Sequence, residues 1–383
     1  MSLDVARIRP RFPTLAHKTY LNSGSYGLLS WDVKQAFERY IAERIERGSD
    51  WAYWTEQGEA LRARVARLLN AQADEIAVTA SASAGINAVA SALRFDEGRD
   101  KIVASNFEFP TSGQIWHAQE LRGARVEHVA EDASGYIPLE HFERAIDERT
   151  KIVAIAHVCY RHGAKLDVAG IARIAHRKGA LLMLDCFQAV GAERVDVKAM
   201  DVDFAVGGML KYLLGTAGIG FLYVRGELAN TLTPTISGWF AQADPAAMDI
   251  FHNVPAPNAT RFQAGTPPVV NGYAASAGLD IILEYGVDEI QAHIRALTAQ
   301  CMSRLREEGI SIATPPDDER RGPMIAIRST NETALVRQLA ERNIVASSRD
   351  GNLRAMFHFY NNDDDVSALL DGLRANRSLV RNA

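Results

Sequence analysis

The sequence predicts an α/β protein, with a large domain built on a mainly parallel sheet and a small α+β domain after it. Three observations predict this arrangement. Helix and strand patterns alternate from about residue 60 to 225, a stretch rich in proline and glycine follows at 251–273, and short strands and helices mix beyond it. Regular alternation of this kind is typical of a parallel sheet covered by helices on both faces.

The large domain is expected to contain seven runs of strand length, several of them separated by helices. Gly179 ends one of these helices, and the apolar strand ALLMLD that follows ends at Asp185. In chain order the predicted elements are helix 59–69, strand IAVTA, helix 85–93, strand KIVAS, helix 114–123, strand ARVEHV, strand KIVAIAHV, helix DVAGIARIAHRKG, strand ALLMLD, and the strands DFAVGG and GIGFLYV.

The domain change is predicted near residue 270, where the stretch FHNVPAPNATRFQAGTPPVVNGY gives way to a helical pattern over 274–308 that is interrupted near Gly286. Residues 1–270, including the N-terminal segment, are assigned to the large domain and residues 271–383 to the small one. Sites are common in the cleft between two such domains. The small domain is predicted to contain strands ISIAT, MIAIRS, IVASS and LRAMFHFY, the helix TALVRQLAERN, and a last helix begun by Asn362 or Asp363.

Composition narrows the class of function. Of the 383 residues, 47% are hydrophobic and 23% charged, and the net charge of -5 comes without a long run of like charges. This pattern predicts neither a nucleic-acid partner nor a membrane surface. No apolar stretch approaches the length of a membrane span or a leader. The three cysteines have no metal-ligand or disulfide spacing, so we expect reduced thiols, no metal site and a cytoplasmic enzyme acting on a small molecule.

Asp185 and Lys211 are the first candidates for chemistry. Asp185 ends an aliphatic strand, and Lys211 follows the next apolar run in FAVGGMLKYLLG. The carboxyl ends of strands in such sheets face the ligand crevice. A lysine in apolar surroundings loses basicity and becomes an amine nucleophile. The alternative is that the two residues form a simple ion pair at the edge of the sheet.

Pyridoxal 5'-phosphate (PLP) gives a more specific reason for the two residues. Its ring nitrogen needs an acidic partner, its aldehyde needs a lysine, and its phosphate needs a helix N-terminus. The segment TASASAGINAV meets the third need, because small residues lead into a helix whose backbone N–H groups and Ser83 hydroxyl could bind phosphate. On its own, a segment of small residues before a helix is more often just a turn and a helix cap.

Two nucleotide-binding motifs, the dinucleotide fingerprint and the P-loop, do not fit the sequence. The glycines of GTAGIG precede a strand, whereas a dinucleotide fingerprint follows a strand and opens a helix. The pattern GxxxxGK[ST] does not occur. Neither a Rossmann nucleotide site nor a P-loop is therefore predicted.

At these positions the sequence resembles the class V aminotransferase family of fold-type I PLP-dependent enzymes, which includes cysteine desulfurases, isopenicillin N epimerase and kynureninase. The most specific segments are DCFQAVG and DFAVGGMLKYLLGTAGIGFLYV. Shorter matches run through most of the chain: YLNSGSYG, ASAGIN, NFEFPTS, HVCYRHGAKLD, GWF, RFQAGTPPV and LRAMFHFYN. The resemblance implies a fold-type I large domain with a seven-stranded sheet.

The resemblance also implies a role for individual residues. Lys211 would hold PLP as a Schiff base, Asp185 would bind the pyridine nitrogen, and Gln188 would approach the phenolic oxygen. Phe109 would stack on the ring, and Trp239 would contact the cofactor. The remaining implied roles are phosphate binding by the Ala82 N–H and by Ser83, contact of Thr266 with the phosphate of a neighbouring subunit, and clamping of the substrate α-carboxylate by Arg354. A homodimer with shared active sites follows from the role of Thr266.

Several of these residues have a plain structural alternative. Phe109 and Trp239 could be packed in the core, and Arg354 could be a solvent-facing charge on a strand. His358 is expected to be a satisfied structural histidine. At least one of Tyr160, Arg161 and His162 should face the site, because they follow a strand. Trp51, Tyr53 and Trp54 could line the substrate pocket or belong to the core.

Departures from the family patterns bear on the reaction. Desulfurases that form a persulfide carry a cysteine in the loop that corresponds to SSRDGNLR, and kynureninases have a tyrosine where this chain has Leu210 and a histidine where it has Gln188. The sequence therefore predicts a lyase or hydrolase that cleaves at the side chain of an L-amino acid, resembling carbon-sulfur lyases or kynureninases. Transamination or epimerisation is the alternative, and a non-catalytic PLP-fold binding protein is a remote one.

Overall fold

A computed structural model describes residues 3–96 and 98–383 of the chain. The helices are α1 (Val5–Ile8), α2 (Trp31–Arg47), α3 (Trp51–Leu69), α4 (Ala82–Ala92), α5 (Pro110–Ala118), α6 (Leu139–Ala145), α7 (Val168–Arg177), α8 (Gly226–Ala229), α9 (Val269–Tyr285), α10 (Val287–Glu307), α11 (Glu332–Glu341) and α12 (Asp363–Ala375). The strands are β1 (Thr19–Tyr20), β2 (Ile76–Thr79), β3 (Lys101–Ser105), β4 (Arg125–Val129), β5 (Thr150–Ala156), β6 (Leu181–Asp185), β7 (Phe204–Gly208), β8 (Gly220–Val224), β9 (Met324–Arg328), β10 (Ile344–Val345), β11 (Ser347–Arg349) and β12 (Asn352–Met356).

Seven strands form the central sheet in the order β2-β8-β7-β6-β5-β3-β4. The pairs from β7 to β4 are parallel, and β8 is antiparallel to both of its neighbours. The predicted mainly parallel, seven-stranded sheet is confirmed. Its inner strands are largely apolar because both faces are covered: Leu182 and Leu184 of β6 pack in one buried cluster, and Met183 packs in another. The edge strand β4, RVEHV, is polar and mostly exposed.

The C-terminal part contains a three-stranded antiparallel sheet in the order β11-β12-β9, together with α10, α11 and α12. The N-terminal segment joins this part, because β1 pairs in parallel with β10 and Asn22 bridges to Met356. Helix α9 begins close to the proposed boundary at residue 270 and packs against α2 and α3. The division into residues 1–270 and 271–383 stays a prediction.

Some element bounds differ from those expected. Helix α4 begins at Ala82 rather than at 85, because the Ser81 side chain caps it by accepting the Ala84 N–H. The predicted strand ISIAT is wrong, since residues 310–314 form only isolated bridges, from Ile310 to Asn382 and from Ile312 to Ile327. These residues alternate between two different partners, so no continuous ladder forms.

The residues that the structure describes contain neither a membrane helix nor a metal cluster. None of their helices combines the length and the apolar composition that crossing a bilayer requires. Within the same residues, no three histidine, cysteine or acidic side chains gather where they could hold a metal ion.

Candidate active site

The structure brings Asp185 and Lys211 to one edge of the central sheet. Asp185 ends β6, and Lys211 follows the end of β7, its parallel neighbour. Between them lies a cavity of about 400 Å³. Its wall is made of Ser25, Ser81, Ala82, Ser83, Phe107, Phe109, Thr111, Ala156, Val158, Tyr160, Asp185, Phe187, Gln188, Leu210 and Lys211.

The Lys211 amine is prepared to act as a nucleophile. Its Nζ lies 4.1 Å from the centroid of the Phe187 ring and 5.8 Å from that of Phe109. Burial lowers the pKa of Lys211 to about 8, Asp185 opposes this shift, and the positive charge of Arg354 adds to it. A substantial fraction of the amine is therefore neutral near physiological pH, as Schiff-base formation requires.

The Asp185 carboxyl is available to bind a cation other than the Lys211 amine. The backbone N–H of Phe187 donates to its Oδ1 at 2.9 Å, while burial raises the pKa of Asp185. Lys211 acts on it through charge without a hydrogen bond between the two side chains. A simple ion pair therefore does not describe this arrangement. A protonated ring nitrogen would offset the burial of the carboxylate.

The first turn of α4 provides an anion site. The first N–H groups of a helix have no intrahelical acceptor, so those of Ala82 and Ser83 are available to a phosphate. Ser83 Oγ lies 3.0 Å from Thr111 Oγ1, and both residues line the cavity. A Cβ at Gly220 of β8 would lie 3.1 Å from the Ala82 nitrogen. The second glycine of GIG therefore lets this turn pack closely on the sheet.

Phe109 lies in the cavity wall rather than in the core. Its side chain is 43% exposed and packs edge-on against Tyr160, with ring centroids 5.1 Å apart. The core-packing alternative does not fit this position. The stacking of Phe109 on a cofactor ring stays a prediction.

Gln188 joins the cavity to the N-terminal motif YLNSGSYG. Its Nε2 donates to the Gly24 carbonyl at 3.1 Å. A Cβ on Gly24 would lie 2.8 Å from Gln188 Oε1, 2.7 Å from the Tyr212 hydroxyl and 2.6 Å from the Met356 sulfur. Glycine is therefore required here, and it lets the N-terminal segment approach the site.

Arg354 is buried, so the alternative of a solvent-facing charge is wrong. Strand β12 is the central strand of the small sheet, and the residue is only 4% exposed. Its Nη1 donates to the Tyr160 carbonyl at 2.7 Å and its Nη2 to Ser347 Oγ at 2.9 Å, while Nε is buried without a partner. Both partners are neutral. A substrate carboxylate would supply the missing counter-charge, because a buried guanidinium without one is costly.

Trp239 and Thr266 do not line this cavity within one chain. Trp239 Nε1 donates to the Pro245 carbonyl at 2.6 Å, and its ring packs on Trp51 and Phe240. It faces a separate hollow formed by residues 238–254. Thr266 is exposed. Their proposed contacts with the cofactor, which for Thr266 involve a second subunit, stay predictions.

Tyr160, Arg161 and His162, in the loop after β5, make different contacts. Tyr160 lines the cavity. Arg161 pairs with Glu131 and Asp350, and His162 packs edge-on against Phe107. Among these three residues, Tyr160 is therefore the one that faces the site.

His358 has the structural surroundings that the sequence suggested. It is fully buried, its Nε2 donates to the Tyr212 carbonyl at 2.9 Å, and its Nδ1 accepts the Phe359 N–H at 2.9 Å. Burial lowers the pKa of His358 to about 3. It is therefore a neutral imidazole with both nitrogens satisfied.

Sequence reasoning missed several residues of the cavity wall. Phe187 stands in the turn after β6, Thr111 lies in the first turn of α5, and Ser25 comes from the N-terminal segment. The signal for Thr111 was its position in NFEFPTS, at the start of α5. The signal for Ser25 was of the same kind, its position in YLNSGSYG, but only the tertiary fold brings it to the sheet edge.

Comparison with protein families decides the assignment. The model of the family "Aminotransferase class-V" matches residues 33–369. The chain belongs to the class V aminotransferase family. The resemblance seen in the sequence is thereby confirmed.

Curated relatives of this class V chain carry several activities. An uncharacterized aminotransferase of Bacillus subtilis, YcbU, is 33% identical over 367 residues, covering 96% of each chain. A probable cysteine desulfurase of Methanothermobacter thermautotrophicus is 29% identical, covering 94% of this chain and 95% of its own. A kynureninase of Deinococcus radiodurans is 29% identical, covering 97% of this chain and 93% of its own.

Solved structures confirm the fold of the class V chain. An apo cysteine desulfurase of Thermococcus onnurineus superposes with a TM-score of 0.89 at 24% identity, covering 98% of both chains. A mutant of C-DES with glycine covalently linked to its PLP cofactor gives a TM-score of 0.88 at 21% identity, covering 95% of this chain and 98% of that one.

The class V family uses PLP, and the cavity fits this cofactor. Lys211 would provide the amine for its aldehyde, Asp185 the carboxyl for its ring nitrogen, and the start of α4 the donors for its phosphate, since all of them border the cavity. The predicted cofactor and the predicted enzyme class are confirmed. The roles of the individual residues stay predictions.

Proposed function

We propose that this enzyme is a PLP-dependent lyase or hydrolase that cleaves or eliminates at the side chain of an L-amino acid or a derivative of one. The observation that carries the proposal is the Lys211 amine, whose pKa is lowered, in a cavity lined by Tyr160. The Tyr160 carbonyl accepts a hydrogen bond from Arg354, a buried arginine whose hydrogen-bond partners within the described residues include no carboxylate. This combination suits an amino acid held by its α-carboxylate beside a base.

Each side chain has a defined task in this proposal. Arg354 holds the substrate carboxylate with its free Nε and fixes the position of Cα. Lys211 would hold the cofactor through its aldehyde, and its free amine would take the α-proton. PLP supplies the electron sink that stabilises negative charge at Cα. Asp185 keeps the ring nitrogen protonated, and the departing group leaves from Cβ or Cγ.

A persulfide on the enzyme itself is not favoured. The hairpin from β11 to β12 over SSRDGNLR contains no cysteine. Cys159, Cys186 and Cys301 are all buried, and burial raises the pKa of each thiol. A thiolate nucleophile requires a lowered pKa and access. Sulfur, if it is the leaving group, would therefore depart without passing through a cysteine of this chain.

A homodimer is part of the proposal. Some exposed apolar side chains lie together on one face: Trp51 packs on Trp239, and Trp239, Met248, Ile250 and Val254 line one hollow. A contiguous exposed apolar surface often marks an interface. Association through this face would cover it and bring Thr266 of one subunit towards the phosphate site of the other. Other large exposed apolar side chains include Ile41, Ile45, Ile236 and Phe251.

A cytoplasmic location also belongs to the proposal. The three cysteines are buried, free thiols. Reduced cysteines suit a reducing compartment.

Product analysis tests the reaction. The PLP-loaded enzyme is incubated with cysteine, cystine, kynurenine and related amino acids, and sulfide, pyruvate and alanine are measured. The proposal expects at least one of these products, and none from Lys211→Ala.

Transamination is the second candidate, favoured by the aminotransferase from Bacillus subtilis. Conversion of the cofactor to its pyridoxamine form without side-chain cleavage would replace the lyase proposal with transamination.

A further inference from the structure

Glu108 places a second carboxyl beside Asp185. It lies in the turn between β3 and α5 and shares a narrow internal void with Asp185. Side chains of Ile86, Met183 and Val206 form much of the rest of the lining. The void has no room for a water molecule. The two carboxyls therefore meet without solvent between them on that side.

The immediate surroundings of Glu108 are polar but neutral. Ser105 Oγ donates to its Oε1 at 3.1 Å, and the Ser112 hydroxyl and the Ala156 backbone also hydrogen-bond to the carboxyl. Both serines are buried. Asp185 is the charged group that acts on Glu108 most strongly. The Glu108 carboxyl therefore has several hydrogen-bond partners. Among the described residues that act on it, no cation favours its ionised form.

Two carboxyls in a shared, dry space hold one proton between them, because ionising both is costly. Burial raises the pKa of Asp185, but the Phe187 N–H that it accepts and the charge of the Lys211 amine oppose this shift and favour its ionised form. Glu108 has no such charged donor among the described groups that act on it. Although Glu108 is only half-buried as a residue, burial of its carboxyl and then the charge of Asp185 raise the pKa of Glu108 to about 8. The buried Cys186 thiol, whose pKa is also raised, adds no charge.

We propose that Glu108 is a positioning residue that carries the proton of a Glu108–Asp185 pair, so that Asp185 stays ionised towards the cofactor ring nitrogen with no second negative charge behind it. The pair then presents one negative charge to the ring at neutral pH. Ionisation of Glu108 in alkaline solution adds a second charge and tightens the hold on the ring proton. The inference rests on the cofactor site and not on which bond the enzyme breaks.

Infrared difference spectroscopy tests the location of the proton. Glu108→Gln keeps the shape and the serine hydrogen bonds but cannot ionise. The wild-type protein, with and without PLP, should show a protonated-carboxyl band at pH 7 that titrates away with a midpoint near pH 8 and is absent from E108Q. The control Glu120→Gln changes an exposed carboxyl and should keep the band. A band that persists in E108Q would overturn the proposal.

A second readout uses the cofactor itself. In a Lys211→Ala background the lysine amine no longer titrates, so the absorbance of added PLP reports the ring nitrogen. This absorbance should change with a midpoint near pH 8 when Glu108 is present and stay flat over the same range in the double variant with Glu108→Gln. Identical titrations would contradict the proposal.

Both readouts are independent of turnover. If Glu108→Gln fails to fold, the wild-type infrared titration still decides, since a missing band at pH 7 would show that Glu108 is ionised. An inactive but normally titrating protein would count against the proposed reaction and leave the role of Glu108 intact.

Discussion

The Nζ of Lys211 lies 4.1 Å from the centre of the Phe187 ring and makes no hydrogen bond to Asp185, although the two residues follow neighbouring parallel strands. The Lys211 amine therefore lies against an aromatic ring and is poorly solvated. The Asp185 carboxylate remains available to bind another cation. This separation distinguishes a cofactor site from a structural ion pair.

The rate of PLP capture by the apoprotein should reflect the Lys211 amine. Because burial lowers the pKa of Lys211 from 10.5 to about 8, the rate should rise with pH up to about 8 and then level off. Stopped-flow absorbance measures it. The unfolded chain binds this proton more tightly between these two values, so rising pH in that window should also stabilise the folded apoprotein. A capture rate that keeps rising towards pH 10 would show an ordinary lysine.

Arg354→Met should weaken substrate binding more than it slows chemistry. Removing a buried partner of a carboxylate costs at least about 2 kcal/mol, or roughly a 30-fold rise in KM, with a smaller change in kcat. Steady-state kinetics on the substrate found by product analysis measure both constants. Arg342→Ala, an exposed arginine on the same part of the chain, is the control and should leave both unchanged. Equal losses in the two variants would remove Arg354 from the site.

Gly220→Ala should loosen the phosphate turn. The added Cβ would lie 2.7 Å from the Gly207 carbonyl oxygen and 3.0 Å from the Ser81 carbonyl carbon, so we expect a loss of about 1 to 3 kcal/mol of unfolding free energy and faster release of PLP on dialysis. Gly113→Ala is the matched control, because its Cβ meets nothing within 4 Å. In that helix it should stabilise by about 0.4 to 1 kcal/mol. Unchanged PLP retention in Gly220→Ala would contradict the packing argument.

The three cysteines should be unreactive in the folded enzyme. All are buried with raised thiol pKa values, so a maleimide should label none of them before denaturation and all three after it. Activity should survive the reagent. Detection of a persulfide on any of them during turnover would restore the desulfurase mechanism.

Much of the site can be predicted from the sequence, because the sequence pattern shows where the strands end. The aliphatic run before Asp185 and the apolar run before Lys211 place both residues at one edge of a parallel sheet. The capping hydroxyl of Ser81 marks the phosphate turn in the same way. Each of these signals is local and has a direct physical cause.

Other parts depend on contacts between distant segments. Strand β1 pairs with β10 over only two residues. A strand this short shows no alternation of apolar and polar residues in the sequence. Arg354 alternates with apolar neighbours like any exposed strand charge, and only the packing of β12 between two strands buries it. Glu108 carried no signal, because its importance comes from the void it shares with Asp185.

One helix could have been found and was not. Helix α2 begins after Ser30, whose side chain accepts the Val33 N–H, and ends at Gly48 with φ of 68°. A serine cap and a terminal glycine are the ordinary signals of a helix. Its exposed apolar residues Ile41 and Ile45 blur the polar face that would normally complete the pattern.

Borohydride reduction of the PLP-loaded protein, followed by peptide mass mapping, tests the central claim most directly. The account predicts a reduced cofactor on the peptide that contains Lys211, and none in Lys211→Ala, whose turnover should fall by about 10³-fold. Lys178→Ala, a surface lysine paired with Glu148, should be labelled normally. A cofactor attached to a different lysine, or full activity in Lys211→Ala, would contradict the assignment of this site.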